Sequence, residues 1–294
     1  MAGQGAKVHF LDITSTFPGP NKSWSPNTLR TRLVLNYKQI PYTQSYLPYP
    51  SIAPVLRSLR LPPLSNGPVP YTLPAIIHAA SIPGTPTRHA LNDSWPIAQH
   101  LEHAFPAPQH PSIFPTPASY PLAVAVQTIL ADTMRQGMAV HIPKVAAYLE
   151  PSCAEYFSRT RAVRFGKSLP EFAAKGAELE RVWAEMETGF GTLAAILRGA
   201  EGVEKKAGPF FEGDQVGYAD LVLMAMFGWY MRNDRADWER LMDIGKEGEF
   251  GRLWEACLPW LEGQGEEVEF PVPVEEDDDE GSAVDSGPIL FKSS

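Results

Sequence analysis

Ser23-Trp24-Ser25-Pro26-Asn27-Thr28-Leu29-Arg30-Thr31-Arg32-Leu33-Val34 is the stretch on which the fold turns. Serine is a favoured helix N-cap and proline the preferred first helical residue, so a helix starts at Ser25-Pro26. Leu29, Leu33 and Tyr37 recur at four-residue spacing with Val34 beside them, which buries one face. Upstream, Val8-His9-Phe10-Leu11-Asp12-Ile13 alternates as a strand with Val8 and Phe10 on one face, and a Pro/Gly/Ser-rich loop over 17–23 joins it to the helix. Downstream, 41–47 reads as a second strand. Residues 48–70 are a long proline-rich insertion with one short helix near 55–59, and 71–78 is a third strand entered through Pro74. A turn at 82–86 leads to a fourth strand near 88–91, and Asn92-Asp93-Ser94 caps a helix through Ile97 and Leu101 to Phe105. The order is β-α-β-loop-β-β-α.

Proline separates this part from the rest. Of 29 prolines, 21 lie in residues 1–121, five in 122–265 and three beyond, so only the middle of the chain can hold long helices. Helical periodicity runs over about 122–149, 152–164, 168–199, 217–233 and 250–261. The expectation is an α/β domain over 7–106 followed by an all-α domain over 118–265. The chain has 294 residues and a formal charge of −9, and that charge is local. Residues 1–265 carry 24 acidic and 24 basic side chains, whereas 266–294 carry ten acids against Lys292 alone. The composition of 266–294 is that of a disordered acidic tail. A neutral body argues against nucleic acid as a partner. The apolar run 221–231 is too short to span a bilayer, which argues against a membrane. No secretory signal is visible, and Cys153 and Cys257 form no disulfide framework, so a cytoplasmic setting is expected.

Three places could carry chemistry. At Ser25 the free amides and positive end of a helix favour an anion and lower the pKa of a nearby thiol, and a hydroxyl there can donate to a thiolate. A plain N-cap accounts for the same serine. At Leu73-Pro74 a cis peptide would turn the Leu73 backbone outward to pair with a peptide-like ligand, while an ordinary trans bond accounts for it equally. At Asp93-Ser94 a carboxylate and hydroxyl beside free amides can hold an amino acid's ammonium and carboxylate; a plain cap is again the alternative.

Taken in order, these segments resemble the thioredoxin-fold half of a glutathione transferase. Residues 23–32 resemble the Ser-Pro-x-x-x-(Arg/Lys) helix start of the serine type, and 71–76 resemble the segment bearing the family's cis-proline. Gly213-Asp214-Gln215-Val216-Gly217-Tyr218-Ala219-Asp220 resembles its Gly-Asp…(Ser/Thr)-x-x-Asp capping box, with Gly217 in the Ser/Thr place. Residues 24–38, the 48–70 insertion, Tyr156-Phe157-Ser158-Arg159-Thr160-Arg161 and Phe165-Gly166-Lys167 are similar to the fungal etherase-related class, whose settings are secondary metabolism or detoxification. The resemblance implies glutathione as co-substrate, with Ser25 as the thiolate-stabilising hydroxyl. Leu73 would be the backbone partner of the cysteinyl unit, Pro74 the cis-proline, and Asp93 and Ser94 the residues holding the γ-glutamyl end. It implies an apolar electrophile as second substrate and a homodimer. A non-catalytic module of the same fold, used for ligand binding or protein interaction, is the alternative.

Other features have blander readings. His100, His103 and His110 lack the converging ligands of a metal site and read as exposed, so no metal is expected. Arg159, Arg161, Arg164 and Lys167 read as a solvated helix face. Cys153 has no Cys-x-x-Cys partner, and Phe227, Trp229, Tyr230 and Trp238 read as core. Deleting 266–294 is expected to leave thiol chemistry nearly unchanged.

Overall fold

The computed structural model describes residues 7–64, 69–78, 89–199 and 207–273. Alternation at the N-terminus makes β1 (Val8–Ile13) a strand buried at every position but His9, and it takes the middle of a mixed sheet. β2 (Tyr42–Leu47) pairs with it in parallel, and β3 (Ala75–His78) antiparallel. β4 (Ala90–Asn92) pairs antiparallel with β3. The ladder of β3 starts at Ala75 rather than at residue 71, because Pro74 has no N–H to give it. The expected turn at 82–86 lies outside the described residues.

The helix predicted at Ser25-Pro26 is α1 (Pro26–Tyr37). Within the insertion, a 3-10 turn (Tyr49–Ser51) leads to α2 (Ile52–Ser58), and α3 (Ser94–Ala104) follows β4. The all-α part contains α4 (Ser119–Gln136), α5 (Met138–His141), a 3-10 segment (Ile142–Tyr148), α6 (Pro151–Phe165), α7 (Leu169–Phe172) and α8 (Gly176–Arg198). It ends with α9 (Tyr218–Asn233), α10 (Arg235–Ile244) and α11 (Glu249–Glu262). The single helix expected over 122–149 breaks at Gly137, where a Cβ would lie 2.2 Å from Met186 Sδ on α8. Helix α10 is absent from the sequence reading; its start signal is Asp234, whose Oδ1 accepts from the Ala236 and Asp237 N–H groups at 2.9 and 3.1 Å.

The two parts meet along α1 and α9. The apolar run of α9 is buried almost throughout, which is what a helix hydrophobic on all faces requires. Its start keeps half of the capping box. Asp220, fully buried, accepts from the Gly217 N–H and the Phe211 N–H, both at 2.8 Å, while Gly217 has no side chain to cap in return. The linker is pinned by Lys38, whose buried ammonium donates to Glu102 Oε2 (2.6 Å) and the Pro111 carbonyl (2.9 Å).

Three expectations are corrected. His100 is buried, with Nε2 2.9 Å from Nδ1 of His78, and burial followed by the neighbouring His78 and His103 holds its pKa down to about 4. Arg161 is not on a solvated face: it is 2% exposed, 4.1 Å over the Phe157 ring and 5.5 Å over that of Tyr49. Glu266 and Glu267, expected in a disordered tail, form a fifth strand, β5 (Glu266–Glu267), parallel to β2 at the sheet edge; the order is β4-β3-β1-β2-β5. An edge strand offers unpaired N–H and C=O groups, and the two glutamates pair with them through the main chain while their side chains stay exposed to water. Residues 274–294 lie outside the described residues.

One core position makes a pH prediction. His141 is fully buried within ring contact of Trp183, Trp229 and Tyr230, and neither ring nitrogen has a hydrogen-bond partner. Asp237 Oδ2 stands 3.7 Å from Nδ1, with Lys144 and Asp234 as the other charged groups beside it. Burial, then Lys144, push its pKa down to about 3. The unfolded chain binds this proton near pH 6.5 and the folded chain does not, so stability present above pH 6.5 is lost as pH falls toward 3. The slope is at most about 1.4 kcal/mol per pH unit. His141→Phe, which fills the same box without polar atoms, is expected to flatten that slope in denaturation measured from pH 7 to 4. An unchanged slope would show that other groups carry the acid sensitivity.

Candidate active site

Strand register brings three distant segments to one end of the sheet. Leu11 in β1 faces Ala75 at the start of β3, and Ala75 faces Asn92 at the end of β4. Leu73-Pro74 therefore enters, and Asp93-Ser94 leaves, at the end of the sheet where β1 runs into the 14–25 loop and Ser25. The predicted residues converge there through the sheet and not through sequence proximity.

Ser25 is 3% exposed and occupies the N-cap of α1, yet its side chain makes no capping bond. Its carbonyl accepts from the Leu29 N–H at 2.9 Å and from Thr28 Oγ1 at 3.1 Å, so the backbone opens the helix without the hydroxyl. The hydroxyl stands at the positive end of a twelve-residue helix, uncommitted to its own helix turn. The approach to it is braced. Ser23 Oγ donates to Asp12 Oδ2 at 2.5 Å, Ser15 Oγ to the Lys22 carbonyl at 2.9 Å, and Trp24 Nε1 to the Thr14 carbonyl at 3.1 Å.

The Leu73–Pro74 peptide is cis, as is Ala107–Pro108, which the sequence did not single out. The Leu73 carbonyl takes the Thr72 hydroxyl at 3.2 Å, and among the described residues no backbone group pairs with the Leu73 N–H. Asp93 is the N-cap of α3 at φ 77°, a left-handed conformation uncommon outside glycine, and its side chain does not cap the helix. Its N–H donates to the Pro74 carbonyl at 3.1 Å, which ties this turn directly to the cis-proline. Ser94 is buried, and its carbonyl accepts from Tyr218 Oη at 3.4 Å.

Several residues here carried no role in the sequence reading. Arg30, on α1, is fully buried with Nε unpartnered; burial lowers its pKa, and the Asp93 carboxylate is the charge that opposes this, burial having pushed the Tyr218 hydroxyl up to about 12 so that it stays neutral. It lies in the quoted motif at the fifth place after Ser25, a position one helical face away from the cap. An aromatic wall also stands beside the Ser25 loop. Phe17 stacks on Tyr148 at 4.9 Å, Trp24 meets Tyr148 edge-on at 5.1 Å, and Tyr49 lies 5.5 Å from Phe157. Burial raises the Tyr148 hydroxyl well above its ordinary pKa. It pushes Tyr49 up to about 12 against the pull of Arg161, so both stay neutral. Tyr148 Oη is already committed to Asn233 Oδ1 (3.0 Å) and Trp229 Nε1 (3.3 Å). The other nucleophile candidate, Cys153, is a free thiol only 1% exposed. Among the described residues, no group of three or more His, Cys, Asp or Glu converges as a metal site, and no helix is long and apolar enough to cross a membrane.

A thioredoxin-like sheet with a serine at its first helix and a cis-proline at the same end of the sheet, joined to an all-helical domain, marks one kind of protein. Two family models match it here: glutathione S-transferase N-terminal domain over 24–104, and glutathione S-transferase C-terminal domain over 122–260. The glutathione S-transferase-like protein ustS of Aspergillus flavus is 46% identical over 268 residues, covering 90% of this chain and 95% of that one. A glutathione S-transferase of Ceriporiopsis subvermispora, solved with glutathione, superposes with a TM-score of 0.74 at 31% identity, over 86% of this chain and 97% of that one. Glutathione transferase GSTFuA3 of Phanerochaete chrysosporium gives 0.73 at 26% identity, over 87% and 98%. The chain belongs to the glutathione S-transferase family.

Proposed function

We propose that this chain is a glutathione transferase of the serine type, which activates the glutathione thiol for attack on an apolar electrophile. The observation that carries the reading is the Ser25 hydroxyl, left free of its own helix at the positive end of α1. Glutathione lies along the end of the sheet. Its cysteinyl amide pairs with the Leu73 backbone, its γ-glutamyl ammonium and carboxylate meet Asp93 and Ser94, and its sulfur faces Ser25. The hydroxyl donates to the thiolate, and the helix terminus adds a partial positive charge. Lowering the thiol pKa by two units needs about 2.7 kcal/mol, within reach of one charge-assisted hydrogen bond and a helix end together. The thiol proton leaves to solvent, and the sulfur lone pair then forms a C–S bond to the electrophile. A leaving group departs with its bonding pair in substitution or ether cleavage, or the electron pair moves onto the acceptor in addition or isomerisation. Support for an apolar partner comes from Phe17, the half-buried ring on the loop before Ser25, which stacks on Tyr148; Trp24, Tyr49 and Tyr148 are buried beneath it. A cytoplasmic homodimer is the assembly we assign to it.

Titration with glutathione tests this reading first. The thermal midpoint is expected to rise as RT ln(1 + [L]/Kd) requires, and conjugation of 1-chloro-2,4-dinitrobenzene is expected to depend on glutathione. Binding without turnover across a broad electrophile panel would assign the fold to ligand carriage instead.

A further inference from the structure

We propose that residues 264–270 are a strap which closes the sheet edge and sets the position of the Ser23–Ser25 helix start through the buried Asp12–Arg32 ion pair. The proposal deepens the reading of Ser25 given above and rests on it for its effect on catalysis, though not for its structure.

The strap is held by main chain and by a directed set of side-chain hydrogens. Thr43 and Gln44 in β2 pair in parallel with Glu266 and Glu267, and the Val268 N–H donates to the Gln44 carbonyl at 2.8 Å. Ser45 Oγ gives its only hydrogen to the Val268 carbonyl at 2.5 Å, so it must accept from His9 Nε2 at 3.1 Å. His9 then carries its proton on Nε2, and Nδ1 accepts from Thr43 Oγ1 at 2.7 Å. Ser45 thus bonds the strap carbonyl directly, His9 and Thr43 fix the direction of its hydroxyl, and Phe270 stacks on the His9 ring at 5.4 Å.

From its first residue the strap also reaches inward. Gln264 Oε1 accepts from Gln44 Nε2 and Tyr46 Oη, both at 3.1 Å. Gln44 Oε1 accepts from Arg32 at 2.8 Å, and Arg32 donates to Asp12 Oδ2 at 3.0 Å, with both charged side chains fully buried. The same Oδ2 receives the Ser23 hydroxyl. An unbroken polar chain therefore runs from the C-terminal segment to the residue two before Ser25. A second tie, Lys22 to Glu267 at 2.5 Å, is exposed and weaker. Past the paired residues the strap stands away from the loop: a cleft of about 480 Å³ opens between Glu267–Val272 and Thr14, Lys22, Leu47 and Pro48. The strap is thus fastened at its pairing points, with open space between its outer stretch and the loop.

The acidic segment accordingly divides near Phe270, and under this proposal deleting 266–294 would loosen the helix start, against the expectation from composition. Three full-fold chains test this: the whole chain, a chain ending at Pro273, and the whole chain carrying Ser45→Ala with Gln264→Ala. Hydrogen exchange of the 14–25 amides is measured in each, together with the pH profile of kcat/KM for conjugation of 1-chloro-2,4-dinitrobenzene. The chain ending at Pro273 is expected to match the whole chain in both. The double variant is expected to exchange the 14–25 amides about tenfold faster, and to move the acidic midpoint of kcat/KM up by about half a pH unit. Unchanged exchange over 14–25 in the double variant overturns the proposal, as does equal loosening in the chain ending at Pro273. If the whole chain turns over no electrophile, the transferase reading fails, and the exchange data alone still decide the strap.

Discussion

Ser25→Ala is expected to lower kcat/KM for glutathione conjugation by about 10- to 100-fold while leaving the melting temperature almost unchanged. A hydrogen bond to a charged acceptor contributes about 1.5–3 kcal/mol, and each 1.4 kcal/mol is a factor of ten in rate. Replacing an N-cap serine ordinarily costs about 1 kcal/mol of stability. Here that cost should vanish, because the side chain makes no capping bond and the Ser25 carbonyl opens the helix by itself. The midpoint of the pH–rate profile should rise in the variant, since the thiolate loses its donor while the helix terminus remains. Unchanged kinetics would remove Ser25 from the thiol chemistry. Normal kinetics with a lower melting temperature would make it a cap after all.

Asp12→Ala is expected to be the most destabilising single change in the α/β half. It leaves Arg32 buried without its carboxylate and strips partners from the Ser23 hydroxyl and the Ile13 N–H, which donates to Asp12 Oδ1 at 2.7 Å. Breaking one side of a buried ion pair costs about 3–5 kcal/mol, which lowers the melting temperature by about 10 °C in a chain of this size. Arg232, close enough for its charge to be felt, adds to the penalty: burial followed by Arg32 already hold its pKa down to about 10, with Asp12 as a counterweight. Adding Arg32→Met to Asp12→Ala should recover part of the loss, because the orphaned charge is then gone. A loss under about 1 kcal/mol in the single variant would mean the pair is solvated in solution.

Helix starts and strands were readable because they rest on short-range chemistry. Ser25-Pro26 opens α1 and Pro74 delays β3 by the same backbone rules in any setting. The first four strands and the helix after Asp93 stand within a few residues of where periodicity put them. Position along the chain says less about company. Arg161 reads as solvated because its neighbours in sequence are basic, yet Phe157 and Tyr49 enclose it; Tyr49 comes from an insertion a hundred residues earlier. His100, on α3, carries no signal of its partner His78, which arrives from β3.

Residue order alone specifies a thioredoxin-like half with a serine-headed helix, an all-α half, and a C-terminal stretch that holds all the net charge. Prolines and apolar spacing act over one or two turns, so they can be read without knowing what lies across the fold; the side chains of Ser25 and Asp93, which mark the helix starts, make no capping bond there. That Ser25, Leu73-Pro74 and Asp93-Ser94 share one end of the sheet follows from strand pairing, since register is a property of pairs of strands. Only that pairing shows that the acidic stretch begins inside the fold: Glu266 and Glu267 are taken up by the open edge of β2, whose unpaired backbone groups lie 220 residues away and outweigh what composition says of the segment.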